Sequence, residues 1–474
     1  MRRTKIVATL GPATWGKKEM RALLEAGADV VRVNFAHASR AEHKMAIENA
    51  REQARELGRT VGVLADLPGP KMRTGAISGG EVYLETGGEF ILTAGNVEGD
   101  ERRASTTVAN LSDVVQKGDE IYLADGEIVL GVKKIQGSDA VTDVVRGGFL
   151  RSRKGMHIPR AERKVQAFTS EDQAALEYAV RLKVDYVGLS FVRDATDCER
   201  ATSALPKRGH RPLILAKIET GSAVEHLDEI VSTADAIMVA RGDLGIQLPL
   251  QQVPLLQKRI IQACNQAGKP VITATQMLES MTHSPLPSRA EAADVANAVL
   301  DGTHALMLSE ETAIGDYPVE AVTKMAEIAE TAELALPDMP QAPLQSHMAD
   351  DRVSWAVAHA AVEAAEDLGV AAILCPTRSG STPFRVAAFR PSMPIVGLSE
   401  RVDTLGQLTL VWGVTPLRVE PAPESLTAEE DVARAAAAAL HSGIVHKGDH
   451  VVVVAGTPGR RAGRTDYVRV VRAD

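Results

Sequence analysis

Short, almost uninterrupted apolar runs recur along the chain, with helically spaced stretches between them. Eight of them read Lys5–Leu10 (KIVATL), Val30–Asn34 (VVRVN), Val61–Asp66 (VGVLAD), Asp185–Ser190 (DYVGLS), Leu213–Lys217 (LILAK), Ala236–Ala240 (AIMVA), Val271–Thr275 (VITAT) and Ala305–Ser309 (ALMLS). Strands apolar on both faces belong to a parallel sheet covered on both sides, each crossover carrying a helix. Eight successive units predict an α/β fold, a (β/α)8 barrel. The third run ends at Asp66 and the fourth starts at Asp185, far more chain than one crossover needs. That excess is Gly-rich and alternates in short segments (EVYLE, EIYLA, EIVLGV), two of them separated by the hairpin signal Asp125-Gly126. The expectation is a small all-β domain over residues 68–162, interrupting a barrel built from 1–67 and 163–336. Insertions on that side of a barrel overhang its mouth, so a lid is the natural role.

Beyond Met325 the pattern runs into ALPDMPQAPLQ, whose Pro337, Pro340 and Pro343 mark a linker. A helix near Arg352–Leu368 and the runs AAILCP, PIVGLS, VTPLRV and HVVVVAG follow. They predict a separate open-sheet α/β domain over residues 345–474.

Composition narrows the function. Apolar residues make up 45% and charged ones 24% of the 474 residues, the balance of a soluble globular protein. With 53 Lys plus Arg against 62 Asp plus Glu, a formal charge of −9 and 3% aromatics, the chain lacks the basic footprint and stacking platforms of a nucleic-acid binder. Anionic small molecules remain open, because a pocket can be locally positive on a negative protein. Cys198, Cys264 and Cys375 are far apart and form no C-x-x-C pair, which argues against a disulfide framework or a zinc site. The apolar run Ile6–Leu10 is too short for a signal peptide, and no stretch reaches the roughly 20 residues of a membrane helix. A cytoplasmic protein without a membrane partner is expected.

In a barrel, chemistry collects where strands end. Those ends supply Asn34, Asp66, Ser190, Lys217, Ala240-Arg241-Gly242-Asp243, Thr275 and Ser309, with Arg32 on the same side of its strand as Asn34. Lys217 and Glu219 are likewise two apart and project together. For that tripeptide alone a structural ion pair is the simpler account. Asp243 changes the balance, because it ends the next strand after a glycine that lets backbone approach a ligand. Two carboxylates from neighbouring strands suit Mg2+, leaving positions for water and substrate oxygens. A nearby lysine can then neutralise charge spread over a phosphoryl group.

Two loops invite a phosphate reading. Gly11–Lys17 fits G-x-x-x-x-G-K, but Lys18 stands where a P-loop needs a hydroxyl and Pro12 removes a backbone N–H. Thr377-Arg378-Ser379-Gly380-Ser381-Thr382 joins a strand to a helix and offers hydroxyls, N–H groups and a guanidinium. It reads as a phosphate site, with an ordinary capped turn as the alternative; the Arg- and Gly-rich loop Gly456–Gly463 supports the former.

Several segments together resemble the pyruvate kinase family over essentially the whole chain: TKIVATLGPAT, VVRVNFAH, AKIETGSAVEHLDEI, IMVARGDLGIQLP, KPVITATQMLESM and SRAEAADVANAVLDGTHALMLSEETAIGDYP. The resemblance implies phosphoryl transfer from phosphoenolpyruvate to ADP with Mg2+ (or Mn2+), an inserted β-barrel lid, a C-terminal regulatory domain taking a phosphorylated effector, and a homotetramer. By motif, Lys217 would stabilise the phosphoryl group in flight and Glu219 and Asp243 would hold Mg2+. Arg32 would bind the substrate phosphate, Gly242, Asp243 and Thr275 its carboxylate, and Ser190 would join the substrate site. Asn34, His37, Arg73 and Lys154 would serve the nucleotide. Thr275 also lies where the family protonates the enolate, and Asp125 matches its lid aspartate.

Departures from the family pattern carry one further expectation. The family's K+ site uses an Asn, a Ser, an Asp and a Thr; here Asn34 and Asp66 remain, while Ala36 and Leu67 lack the two hydroxyls. The usual Glu is Lys71, which can supply a tethered positive charge, so activity is expected not to require K+. Glu310 replaces a small residue, Asp466 a usual Asn, and the return hinge PRAERKVQAF is atypical. Two rival functions stand beside the first: a Mg2+-dependent aldolase or lyase acting on pyruvate enolate, and a catalytically dead phosphometabolite sensor.

Overall fold

The computed structural model describes residues 2–70, 72–108, 110–124, 126–159, 167–336, 351–421, 423, 426–458 and 463–474. Eight parallel strands follow one another around a closed barrel: Lys5–Thr9, Val30–Asn34, Gly62–Asp66, Tyr186–Leu189, Leu213–Ile218, Ala236–Ala240, Val271–Ala274 and Ala305–Leu308. The first closes on the last, with Lys5 opposite Ala305 and Ala8 opposite Leu308. Alternation sorts their side chains into two apolar layers. Ile6 and Ala8 join the layer that packs against the surrounding helices, while Val7, Leu64, Leu215 and Met307 fill the barrel. Several crossover helices begin at capping boxes, among them Ser39 with Glu42, Thr169 with Asp172 and Ser288 with Glu291.

Between the third and fourth barrel strands the chain forms separate β structure with its own core of Phe90, Leu92, Ile121 and Leu130. A six-stranded sheet runs from Met156–His157 to Arg103–Ser105, and a two-stranded ribbon pairs Glu81–Leu84 with Gly148–Arg151. The expected hairpin is there, Glu120–Leu123 lying antiparallel to Ile128–Gln136. Asp125, at its turn, lies outside the described residues, as do residues 160–166 of the atypical hinge and Pro337, Pro340 and Pro343 of the linker.

The C-terminal part is an open five-stranded sheet: Val414–Arg418, Ile395–Ser399, Ala372–Pro376 and His450–Ala455 are parallel, and Tyr467–Arg472 adds an antiparallel edge. Its residues 404–414 close the barrel's amino end. Leu410 enters the barrel's interior cluster, Lys5 Nζ donates to the Val414 carbonyl at 2.8 Å, and Tyr186 Oη donates to the Gln407 carbonyl. Gly62 is required there, because a Cβ would stand 2.1 Å from Thr409 Oγ1. Among the described residues, no helix is long and apolar enough to cross a membrane.

Candidate active site

At the opposite, carboxyl end, three strands deliver charge to one point. Arg32 donates from Nε to Asp66 Oδ2 at 2.9 Å and from Nη1 to Thr9 Oγ1 at 3.0 Å. Asp66 Oδ1 lies 3.3 Å from Lys217 Nζ, and Lys217 also meets Glu219 Oε1 at 2.7 Å and Ser190 Oγ at 3.0 Å. All of these groups are largely buried, and Asp66 and Glu219 nearly completely so. Burial opposes the lysine's charge, but Asp66 and Glu219 outweigh it and hold the ammonium above the ordinary lysine range. Glu219 is pushed up to about 7 by burial, with Lys217 pulling it down and Asp243 pushing it further up. The ion pair expected from spacing is therefore real, and Asp66, bridging Arg32 and Lys217, makes it a network.

Thr275 sits beside this network in a left-handed conformation at φ 70°, which a β-branched residue adopts only when its surroundings enforce it. Its Oγ1 accepts from Gly242 N–H at 2.8 Å and donates to the Ala274 carbonyl at 2.6 Å. Arg241, unassigned in the sequence reading, explains the geometry: its Nη2 donates to the Thr275 carbonyl at 2.7 Å while Nη1 pairs with Asp294 at 2.6 Å. Asp243 follows in the first turn of the short helix Arg241–Gln247.

Above the mouth lies a cleft of 310 Å³ between barrel and inserted sheet. Arg73, Lys154 and His37 line it together with Asp243, and so do Tyr122 and His157. The last two are missing from the sequence reading; His157 lies three residues from Lys154 and could have been reached from it. Glu310, noted only as a departure, also lines the cleft. Asn34 is turned to its own loop, its Oδ1 accepting from Ala36 N–H at 3.0 Å. Leu67 is buried, and Lys71 lies outside the described residues.

Residues 377–382 are remote from this mouth. Thr377 Oγ1 accepts from Gly380 N–H at 3.0 Å, and the hydroxyls of Ser379 and Ser381 lie 3.1 Å apart at the start of the helix Ser381–Ala388. The Arg378 side chain is 76% exposed. Thr382 departs from the hydroxyl set expected from sequence: it is buried, 2.8 Å from Thr465. Residues 459–462 of the Gly456–Gly463 loop are outside the described residues.

Asp243 is close enough to Glu219 to raise that carboxylate's cost of ionisation. Such a pair of hard oxygen donors fits a divalent cation that keeps other positions for ligand oxygens. Among the described residues, no cluster of three His, Cys, Asp or Glu could hold a metal by itself.

A barrel with buried cations and carboxylates at its mouth, under a cleft lined by further cations, is the frame of an enzyme acting on an anionic small molecule. Residues 1–322 match the family model for the pyruvate kinase barrel domain, and residues 355–471 that for the pyruvate kinase alpha/beta domain. The pyruvate kinase of Geobacillus stearothermophilus is 42% identical over 99% of this chain and 80% of its own length. Those of Thermococcus litoralis and Mycobacterium tuberculosis are each 40% identical, over 99% of this chain and 98% of theirs. The chain belongs to the pyruvate kinase family and is an enzyme.

Proposed function

We propose that the enzyme transfers the phosphoryl group of phosphoenolpyruvate to ADP, giving pyruvate and ATP, at the mouth around Lys217. The observation that carries this reading is the buried ammonium of Lys217 held between Asp66, Glu219 and Ser190. A fixed charge in a dry site is worth most where charge develops during transfer, on the equatorial phosphoryl oxygens. Arg32 faces the same phosphate. The N–H groups of Gly242 and Asp243, with the Thr275 hydroxyl, receive the substrate carboxylate at a helix start. Thr275, or a water on it, delivers the proton to the enolate carbon. Glu219 and Asp243 would hold Mg2+ (or Mn2+), which would supply positive charge to the substrate oxygens. Asn34, His37, Arg73 and Lys154 serve ADP from the cleft side.

Further parts of the reading are a glycolytic role and a homotetramer, which rest on the family alone, a cytoplasmic location, and a phosphorylated effector on Thr377–Thr382, whose hydroxyls and N–H groups suit a phosphate. The inserted domain over 68–162 acts as the lid, and the C-terminal domain over 345–474 as the regulatory unit. Monovalent cation is not required, because Ala36 and Leu67 supply no hydroxyl ligands and Lys71 supplies a positive charge.

One experiment tests the reading. Pyruvate and ATP are measured from phosphoenolpyruvate plus ADP, with Mg2+ fixed, in KCl and in a tetraalkylammonium salt of equal ionic strength. Equal amounts of both products and equal rates in both salts are expected. Pyruvate without ATP would mean loss of the phosphoryl group to water and overturn transfer to ADP, neither product would favour the lyase or the sensor, and a severalfold K+-specific rise would overturn K+ independence.

A further inference from the structure

The chain passes between barrel and inserted domain twice, leaving through Leu67–Gly69 and returning to the helix that starts at Ser170. One buried carboxylate touches both crossings. Asp172 Oδ2 accepts from the N–H of Thr169 at 2.9 Å and from its hydroxyl at 2.6 Å. These contacts belong to a capping box and serve the helix Ser170–Arg181. Its Oδ1 does something no cap requires: it accepts from Gly69 N–H at 2.9 Å, across 103 residues of sequence.

Gly69 is in turn fixed against the active site. Its φ is +65°, and a Cβ there would stand 2.7 Å from Ser190 Cβ and 2.9 Å from the Phe191 ring. Only glycine lets the outgoing crossing lie this close. Ser190 Oγ donates to the Leu67 carbonyl at 2.8 Å and accepts from Lys217 Nζ at 3.0 Å. Phe191 N–H donates to Glu219 Oε2 at 2.6 Å. A continuous set of contacts therefore runs from Asp172 through the outgoing crossing to the lysine and carboxylate at the mouth, with Thr169 of the returning chain held on the same carboxylate.

We infer that Asp172 is a positioning residue: it fastens the two crossings into one unit and sets their position against Ser190 and Lys217. The inference rests on the phosphoryl-transfer reading, in which Arg73 and Lys154 on the inserted domain must meet the nucleotide in register with Lys217. Without the tie from Asp172 to Gly69 the crossings move independently, and the nucleotide side of the cleft loses its alignment. The substrate side, built on the barrel, is affected less.

Two variants separate this role from helix capping. Asp172→Glu keeps a residue suited to the capping box but carries its carboxylate one methylene past Gly69. Thr169→Ala removes the capping hydroxyl and leaves the Gly69 contact. Asp172→Glu should raise KM for ADP at least about fivefold and lower kcat, with KM for phosphoenolpyruvate within about twofold. Thr169→Ala should lower the melting temperature and leave both KM values within about twofold. If Asp172→Glu does not fold, Asp172→Ala, which removes both contacts, takes its place and is read against Thr169→Ala, which removes the capping hydroxyl alone. Wild-type kinetics in the Asp172 variant, an equal rise in both KM values, or the same kinetic loss in Thr169→Ala would overturn the inference. Should the wild type fail to make pyruvate and ATP, amide exchange decides separately. Exchange at Leu67–Gly69 faster in the Asp172 variant than in Thr169→Ala supports the tie, and equal exchange refutes it.

Discussion

At the carboxyl end of the barrel, Arg32, Asp66, Lys217 and Glu219 are buried against one another. At the amino end, Lys5, Asp185 and Tyr186 are buried just as deeply, but their partners are mostly backbone groups. Lys5 ends on the Val414 carbonyl, Tyr186 on the Gln407 carbonyl, and Asp185 accepts from Val63 N–H at 2.8 Å. Gly406 packs so closely on Asp185 that a Cβ would stand 2.0 Å from its Oδ1. Burial of charge therefore does not by itself mark a site. Backbone partners are fixed and close the account at the floor, whereas charged side chains at the mouth can exchange one another for a ligand.

The largest break in this comparison is expected from Lys217→Met, which keeps length and removes charge. Turnover should fall at least about 100-fold while divalent-cation binding survives; a variant keeping most of its turnover would remove Lys217 from the chemistry. The mirror experiment is at the floor. Leu410→Ala leaves a cavity inside the barrel and should lower unfolding stability by about 2–4 kcal/mol, read by denaturant titration. Per folded molecule its kcat/KM should stay within about twofold, and a specific catalytic loss would blur the division between the two ends.

A smaller effect separates the carboxylates of the mouth. Asp243→Asn keeps shape and loses charge, so half-activation by Mg2+ should move about tenfold higher, measured with enough nucleotide to saturate its own metal. An unchanged curve excludes Asp243 from the coordination shell. The smallest effect belongs to Asp185, pushed up to about 7 by burial, with Val63 N–H and Arg51 pulling it down and Asp403 pushing it up. The fold thus favours its protonated form, against an ordinary value of 3.8 in the unfolded chain. Between those values the folded state holds more protons, so this contribution to stability is lost as pH rises from about 4 to 7. Asp185→Asn should gain on the wild type between pH 5 and pH 8, and a gap that narrows instead would refute the assignment.

The eight barrel strands were legible because a strand covered on both faces is written as a continuous apolar run, and Val30–Asn34 and Ala236–Ala240 match residue for residue. Lys217 with Glu219 was legible for the same local reason, a spacing of two. What the sequence did not disclose depends on contacts between distant segments. Asp172 reads as a capping residue, and nothing near it announces Gly69. Arg241 was seen as part of a strand end, but its grip on the Thr275 carbonyl requires the neighbouring strand in place. Leu410 reads as an ordinary core residue of the C-terminal domain, although it completes the barrel's interior. Thr382 looks like any other hydroxyl of its loop until Thr465, 83 positions on, turns it inward.

The pairing of Lys5 with Ala305 also sets a timetable. During synthesis the first strand leaves the ribosome with its outer edge unpaired, and the strand that will cover it is translated last among the eight. At 5–20 residues per second that is a wait of roughly 15–60 s. An open strand edge is a template for pairing with other chains, so the nascent barrel depends on being shielded through that interval. The wait is longer still for Arg3, whose carbonyl accepts from Gly413 N–H at 2.9 Å. The barrel's first strand completes its pairing only when the barrel's last strand has been made.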